Sequence, residues 1–190
     1  MHWFRGFYTY DTNVEYRNSG CVLCLAATHL KSGGVEHEYQ RVRELKSLMN
    51  GLSSPTKLGG LSDPCALVIC GDFNAKPESK VVKLLEQGYA GIEPLQSAYC
   101  SVSYTAMDLI AQWCKQSTVE SKVVPGFVGV LDYIFISPKV LQICGVLEPP
   151  AFSIAQGPPV GVSGACGGIP STKYPSDHIA LACKLRWVTQ

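Results

Sequence analysis

An aspartate set within an apolar strand is the feature that most restricts what this chain can fold into. Residues Val128 to Ile136 read Val-Gly-Val-Leu-Asp-Tyr-Ile-Phe-Ile and are closed by Ser137-Pro138. At a side-chain period of two, Asp132 shares a face with Val128, Val130, Ile134 and Ile136. A carboxylate without a partner on such a face costs several kcal/mol, so the fold must bring it a dedicated one. A structural aspartate would take backbone amides or an Arg. A functional one would orient a histidine, fixing its tautomer and favouring the imidazolium. His178 is the leading candidate for that histidine.

Polar residues collect at strand ends elsewhere as well. Thr28-His29 closes the apolar run Cys21 to Leu30, and Gly71-Asp72-Phe73-Asn74 follows the run Ala66 to Cys70. Ser176-Asp177-His178 opens the last run, Ile179 to Trp187. Ends of buried strands are where a rigid scaffold holds convergent polar groups. Gly71 permits a tight turn or a close approach. Asp72 and Asn74, two apart, point the same way, so the carboxylate can take a proton from water while the amide donates to developing charge. An Asx turn capping the following segment is the structural alternative. Asp177 and His178 splay at the strand start, so one can reach a metal and the other a phosphate. Asp72, Asn74, Asp132 and Asp177 offer the oxygen ligands that suit Mg²⁺. No Cys/His cluster has zinc-ligand spacing.

The remainder of the chain supplies a scaffold. Val35 to Met49 places Val35, Tyr39, Val42, Leu45 and Met49 in one helical stripe ended by Asn50-Gly51. Val81 to Leu85 predicts a short helix after Pro77-Glu78-Ser79, and Val140 to Leu147 a further strand. A Pro-, Gly- and Ser-rich loop spans 148–172, and the first twenty residues (1–20) have no clear period. Strands with interspersed helices indicate an α/β or α+β fold.

At 190 residues, with 46% apolar and 16% charged residues, the chain fits one globular domain. The formal charge of +1 neither supports nor excludes nucleic acid as a partner, and any such contact is expected to be a small local site and not a broad cationic face. No apolar run is long enough to cross a bilayer, so no membrane partner is expected. The nine cysteines sit mostly inside apolar runs and read as small buried hydrophobes. Reduced thiols and the lack of signal-peptide features place the chain in the cell interior.

Four segments in order carry a resemblance: Thr28-His-Leu30, Cys70-Gly-Asp-Phe-Asn74 with Pro77 and Ser79, Gly129-Val-Leu-Asp-Tyr-Ile-Phe135, and Pro175-Ser-Asp-His-Ile179. Together they resemble the endonuclease/exonuclease/phosphatase superfamily. Within it the chain is most similar to the deadenylase branch, with its carbon-catabolite-repressor-type, nocturnin-type and 2′-phosphodiesterase-type members. The tail from Ile169 to Trp187 is especially similar to the last type.

The resemblance implies that residues 21–190 are the C-terminal half of a DNase I-like, two-sheet αββα sandwich. It implies Mg²⁺-dependent (or Mn²⁺-dependent) hydrolysis of RNA, either 3′-to-5′ removal of poly(A) or 2′,5′-phosphodiester cleavage of oligoadenylate. Asp72 matches the metal-linked general acid/base, and Asn74 a residue on the scissile phosphate or metal. Asp177 matches a second metal-side carboxylate, and His178 a phosphate-stabilising histidine oriented by Asp132. His29 matches a contact to substrate phosphate, Phe127 an aromatic stacked on adenine, and Gln40 a structural helix position. An abasic-site endonuclease, a lipid or inositol phosphatase, and an inactive pseudo-nuclease are the alternatives.

The chain also departs from the family pattern. The segment after His29 lacks the family's Trp and Pro. Tyr104-Thr105 is not followed by the expected Asn, and a helix-like insert, Asp108 to Cys114, intervenes. The family's N-terminal half brings an Asn and a Gln-Glu motif whose Glu is a principal Mg²⁺ ligand, and it has no counterpart here. An incomplete gene model, a piece that pairs with another chain, or an inactive remnant are the three expectations, each with an apolar sheet face left open.

Overall fold

In a computed structural model, residues 9–10, 23–53, 66–100, 102, 104–108, 127–150, 169 and 175–188 are described. The apolar runs of the sequence become the centre of a five-stranded sheet. Its strands are β1 (Thr9–Tyr10), β2 (Leu23–His29), β3 (Ala66–Asp72), β4 (Gln96–Ser97) and β7 (Asp132–Ile136). They lie in the order β1-β2-β3-β7-β4. Parallel neighbours need a long crossover, and helix α1 (Glu38–Leu52) supplies it between β2 and β3. The remaining pairs, β1 with β2, β3 with β7 and β4 with β7, are antiparallel.

The chain divides into two compact units. The first comprises Met1–Cys100, Asp132–Val146 and Ala182–Gln190 and holds this sheet. Register decides what each face of the sheet carries. Leu25 pairs with Val68, and Val68 with Ile136; at the other end His29 pairs with Asp72, and Asp72 with Asp132. One face is therefore apolar at one end and polar at the other. Ala66, Val68, Ile136, Leu23, Leu25 and Ile134 meet Leu141, Val140, Ile143, Leu185 and Trp187 in one core cluster. The latter side chains come from or flank a second antiparallel sheet, β8 (Leu141–Val146) with β9 (Cys183–Trp187). Cys70 and Cys183 stand in the same layer at alternate positions to these residues, and burial raises the pKa of both thiols.

The opposite face buries Ala26, Ile69, Tyr133 and Phe135. Phe73 packs edge-on against Tyr133 and Phe135. Leu45, Leu48, Met49 and Leu52 of α1 are buried, as are Val81, Val82 and Leu85 of α2 (Lys80–Gln87). The α2 N-terminus is capped by Ser79, whose hydroxyl accepts from the Val82 N–H at 3.3 Å.

The second unit comprises Ser101–Leu131 and Leu147–Leu181. Its described residues form an antiparallel pair, β5 (Ala106–Asp108) with β6 (Phe127–Gly129). Thr105 is fully buried and organises this pair. Its N–H donates to Gly129 O, its carbonyl accepts from the Ile179 N–H, and its hydroxyl accepts from the Leu131 N–H. His178 makes an isolated antiparallel bridge to Ala106.

Several expected boundaries move. The strand read as continuous from Val128 to Ile136 is two strands in different sheets, β6 and β7, separated by Val130-Leu131. Asp132 thus opens a strand, and only Ile134 and Ile136 share its face. The helical stripe is also rotated. Val35 and Tyr39 are 88% and 80% exposed, and Arg41 replaces them on the buried side. Residues Val35–His37 form a 3₁₀ turn instead, and the helix runs past Asn50-Gly51 to Leu52. The last strand begins at Cys183, not Ile179. A short edge strand, β1, lies within the segment 1–20 that showed no period. The insert beyond Asp108 and the 148–172 loop, apart from residues 148–150 and Ile169, lie outside the described residues. On the face toward β8 and β9, Ala66, Val68, Ile136 and Leu141 are buried, while Leu23, Leu25, Ile134, Ile143, Leu185 and Trp187 are only partly so. No described helix is long and apolar enough to cross a membrane.

Gly71 is the position with least tolerance. Its φ is +131°, and a Cβ there would stand 2.0 Å from the Thr28 carbonyl oxygen of β2. Gly71→Ala is expected to lower unfolding free energy by about 2 kcal/mol or more, since strain and a backbone clash combine. Urea denaturation checks this; a midpoint unchanged from the wild type would contradict it.

Candidate active site

Three strands of the first unit end together with their polar residues on one face. His29 closes β2, Asp72 closes β3 and Asp132 opens β7, and the register sets them side by side in that order. Directly opposed residues of an antiparallel pair have Cβ atoms about 5 Å apart. Two carboxylates so placed repel, and the fold must answer with donors or a cation. His29 is one answer. Its Nε2 lies 3.3 Å from Asp72 Oδ2, with the His29 side chain 71% exposed and that of Asp72 16% exposed.

Asn74 is the second. Its backbone has a φ of +47°, in the left-handed region that Asn tolerates. This turns its N–H onto Asp72 Oδ1 at 2.7 Å. Its Nδ2 donates to Asp72 Oδ2 at 3.1 Å and to Leu30 O at 3.0 Å. The Leu30 N–H donates in turn to Asp72 O at 2.9 Å. Asp72, Asn74 and Leu30 therefore form one hydrogen-bonded knot joining β2 to β3. Here the Asx-turn reading of Gly71-Asp72-Phe73-Asn74 holds and the donor reading changes. Both amide hydrogens of Asn74 are engaged, so the atom it offers a ligand is Oδ1. That atom is an acceptor and suits a cation better than an oxyanion.

The turn is braced from below by Tyr133, whose hydroxyl donates to Ala75 O at 2.7 Å. Burial, with the neighbouring carboxylates of Glu78, Asp132 and Glu86, pushes the Tyr133 phenol well above its ordinary value. It therefore remains a donor through neutral pH. Nothing in the sequence pattern singles out Tyr133 or the Leu30 carbonyl. Both act through geometry that only the folded turn creates.

The other expected site residues belong to the second unit. Phe127 is half-buried on β6 with its ring over Gly129, where a Cβ would meet Phe127 Cζ at 2.8 Å. Asp177 is exposed and His178 half-buried. The His178 N–H donates to Ser176 Oγ at 3.0 Å, which fixes the Ser-Asp-His turn. The structure thus gathers His29, Asp72, Asn74 and Asp132 in one unit and holds Phe127, Asp177 and His178 in the other.

The Mg²⁺ implied by the sequence resemblance can be tested against the first unit alone. A paired set of carboxylates, with an amide oxygen on the adjoining turn, is a hard-oxygen donor set. It lacks the sulfur and nitrogen majority that zinc selects. These residues fit Mg²⁺ or Mn²⁺.

No family model matches the chain. It is 32% identical over 167 residues to nocturnin from Xenopus laevis, an alignment covering 87% of this chain and 37% of that protein. It is 31% identical over 127 residues to 2′,5′-phosphodiesterase 12 from Homo sapiens, covering 64% of this chain and 19% of that protein. The chain therefore spans well under half the length of these relatives. Among solved structures, the human nocturnin catalytic domain with bound sulfate superposes at a TM-score of 0.57 and 24% identity, over 90% of this chain and 50% of that one. ANGEL2, a 2′,3′-cyclic phosphatase, superposes at 0.59 and 16% identity, over 87% and 57%. Both share the fold.

The raised Tyr133 pKa has a pH consequence with a definite sign. The folded state favours the protonated phenol, so its contribution to stability is full below the unfolded value of about 10 and declines as pH rises above it. Urea midpoints are expected to fall above that pH. In Tyr133→Phe the part of the decline due to this phenol disappears, at the cost of the bond to Ala75 O. Equal alkaline slopes in the two proteins would contradict the assignment.

Proposed function

The chain belongs to the endonuclease/exonuclease/phosphatase superfamily, in the branch that holds nocturnin and 2′,5′-phosphodiesterase 12, and from that premise we infer a metal-assisted phosphodiesterase that acts on RNA 3′ ends. The substrate is poly(A) or oligoadenylate, joined 3′–5′ or 2′–5′, and its place of action is inside the cell. One observation carries the reading: Asp72 and Asp132 are register partners on a single sheet face, with Asn74 locked onto Asp72. A like-charged pair at the mouth of a strand is poor structural economy and a good cation site.

Asp72 and Asn74 Oδ1, with Asp177 on the sequence pattern, would hold Mg²⁺ or Mn²⁺. When bound, the ion supplies positive charge toward the phosphate. The chain's own residues do the rest. Asp72 accepts a proton from the attacking water, whose oxygen forms the new P–O bond as the ester bond to the leaving nucleoside oxygen breaks. The two Asn74 donors keep the Asp72 oxygens aimed. His29, largely exposed beside Asp72, contacts a substrate phosphate. His178, assigned by its place in Ser176-Asp-His178 and matched with Asp132 only on the sequence pattern, would hydrogen-bond the phosphoryl oxygens as charge develops. Phe127 stacks on the terminal adenine, a contact worth about 1–3 kcal/mol per base and sufficient for recognition without a basic surface.

The test uses labelled oligoadenylates of both linkages with Mg²⁺, with EDTA, and with a nocturnin-type N-terminal segment added in trans. Metal-dependent release of nucleotides from the 3′ end is expected. Cleavage of abasic DNA or of a lipid phosphodiester, with RNA untouched, would replace the substrate assignment. Asp72→Asn and His178→Ala are expected to lower turnover by about 10²–10⁴-fold each while far-UV dichroism stays native. Undiminished metal-dependent cleavage by Asp72→Asn would exclude Asp72 as the base.

A further inference from the structure

Arg41 lies on the buried side of α1, 5% exposed, in line with Leu45, Leu48 and Leu52. An aliphatic residue would complete that stripe at lower desolvation cost. The guanidinium instead spreads over the loop that follows β2. Its Nη1 donates to Lys31 O and Gly33 O, both at 3.1 Å, and its Nη2 to Gly34 O at 2.9 Å. Its Nε is buried with no hydrogen-bond partner. A second anchor runs alongside, from the Lys31 N–H to Glu44 Oε2 at 2.9 Å, and Gln40 Nε2 donates to the same carboxylate at 3.0 Å.

The held loop begins one residue after the knot. Leu30 donates to Asp72 O and accepts from Asn74 Nδ2, and His29 faces Asp72. We propose that Arg41 is a positioning residue: by clamping the carbonyls of Lys31, Gly33 and Gly34 onto α1, it sets where Leu30 leaves β2 and so fixes the Asp72–Asn74 cation site. Only a planar fork with several donors serves three divergent carbonyls at once; a lysine ammonium is a compact point charge on a flexible stem. This role rests on the reading of Asp72 and Asn74 as metal ligands. It adds a residue that touches neither metal nor substrate and is absent from the motifs that suggested the site.

The experiment compares the full chain as wild type, Arg41→Met and Arg41→Lys, well below the lowest thermal midpoint. It reads the amide ¹H–¹⁵N signals of Leu30 and Asn74, and Mn²⁺ affinity by electron spin resonance of the free ion. Arg41→Met is expected to move both amide signals and weaken Mn²⁺ binding by about tenfold or more, the usual effect of losing an outer-shell support. Arg41→Lys is expected to recover part of each. Unmoved signals, or Mn²⁺ affinity unchanged despite a lowered thermal midpoint, overturn the proposal and leave Arg41 a scaffold residue. Should the wild type bind no Mn²⁺, the metal reading falls, and the two amide signals alone decide the positional claim. Should Arg41→Met fail to fold, Glu44→Ala releases the Lys31 anchor in its place: movement of both signals supports transmission through the loop, and stillness overturns it.

Discussion

The structure depends on opposing two carboxylates across neighbouring strands. Asp72 and Asp132 are register partners, and no arrangement of β3 against β7 that keeps Val68 on Ile136 can separate them. A slip of one residue would move Ile134 and Ile136 out of the core, so the apolar half of the sheet enforces the charged half. The hydrophobic layer between the two sheets therefore does more than stabilise. It fixes the mutual placement of groups that electrostatics alone would drive apart.

Around that pair the chain arranges compensation in tiers. Asn74 adopts a left-handed backbone to give Asp72 two donors, and His29 lies beside the same carboxylate. Tyr133 holds the turn through Ala75, and its own phenol is kept protonated by burial. Arg41 and Glu44 hold the strand exit on the other side. Apart from the His29–Asp72 contact, each tier includes a bond between a side chain and the backbone, which is how a short turn acquires rigidity without added length.

How much of this was legible in the sequence follows from what each signal measures. Strand existence was clear, because apolar runs ended by Gly, Asn and Ser have few other uses. The polar strand ends at His29 and Asp72 are also legible, and so is the need of Asp132 for a partner, because a carboxylate beside Ile134 demands an explanation; its place at a strand start is not. Boundaries were not. At the break before Asp132 the Leu131 N–H is taken by the Thr105 hydroxyl, a partner remote in sequence. The α1 stripe was misplaced by taking Val35 and Tyr39 as core. A buried Arg leaves no apolar periodicity, and the 3₁₀ turn changes the phase of the first residues. Spacing leaves two bonding patterns open to Asn74, since backbone torsion decides which way an amide points.

Cys70 occupies the same sheet face as Asp72, two residues away, within the layer it shares with Cys183. Because thiolate is the reactive form, a desolvated thiol is a slow nucleophile toward peroxide and alkylating agents. Cys70 and Cys183, half-buried and with raised pKa, hold less thiolate at neutral pH than an ordinary thiol, whereas Cys100 and Cys144 are exposed. Among the described cysteines, oxidants and thiol reagents therefore meet Cys100 and Cys144 first, away from the carboxylate pair.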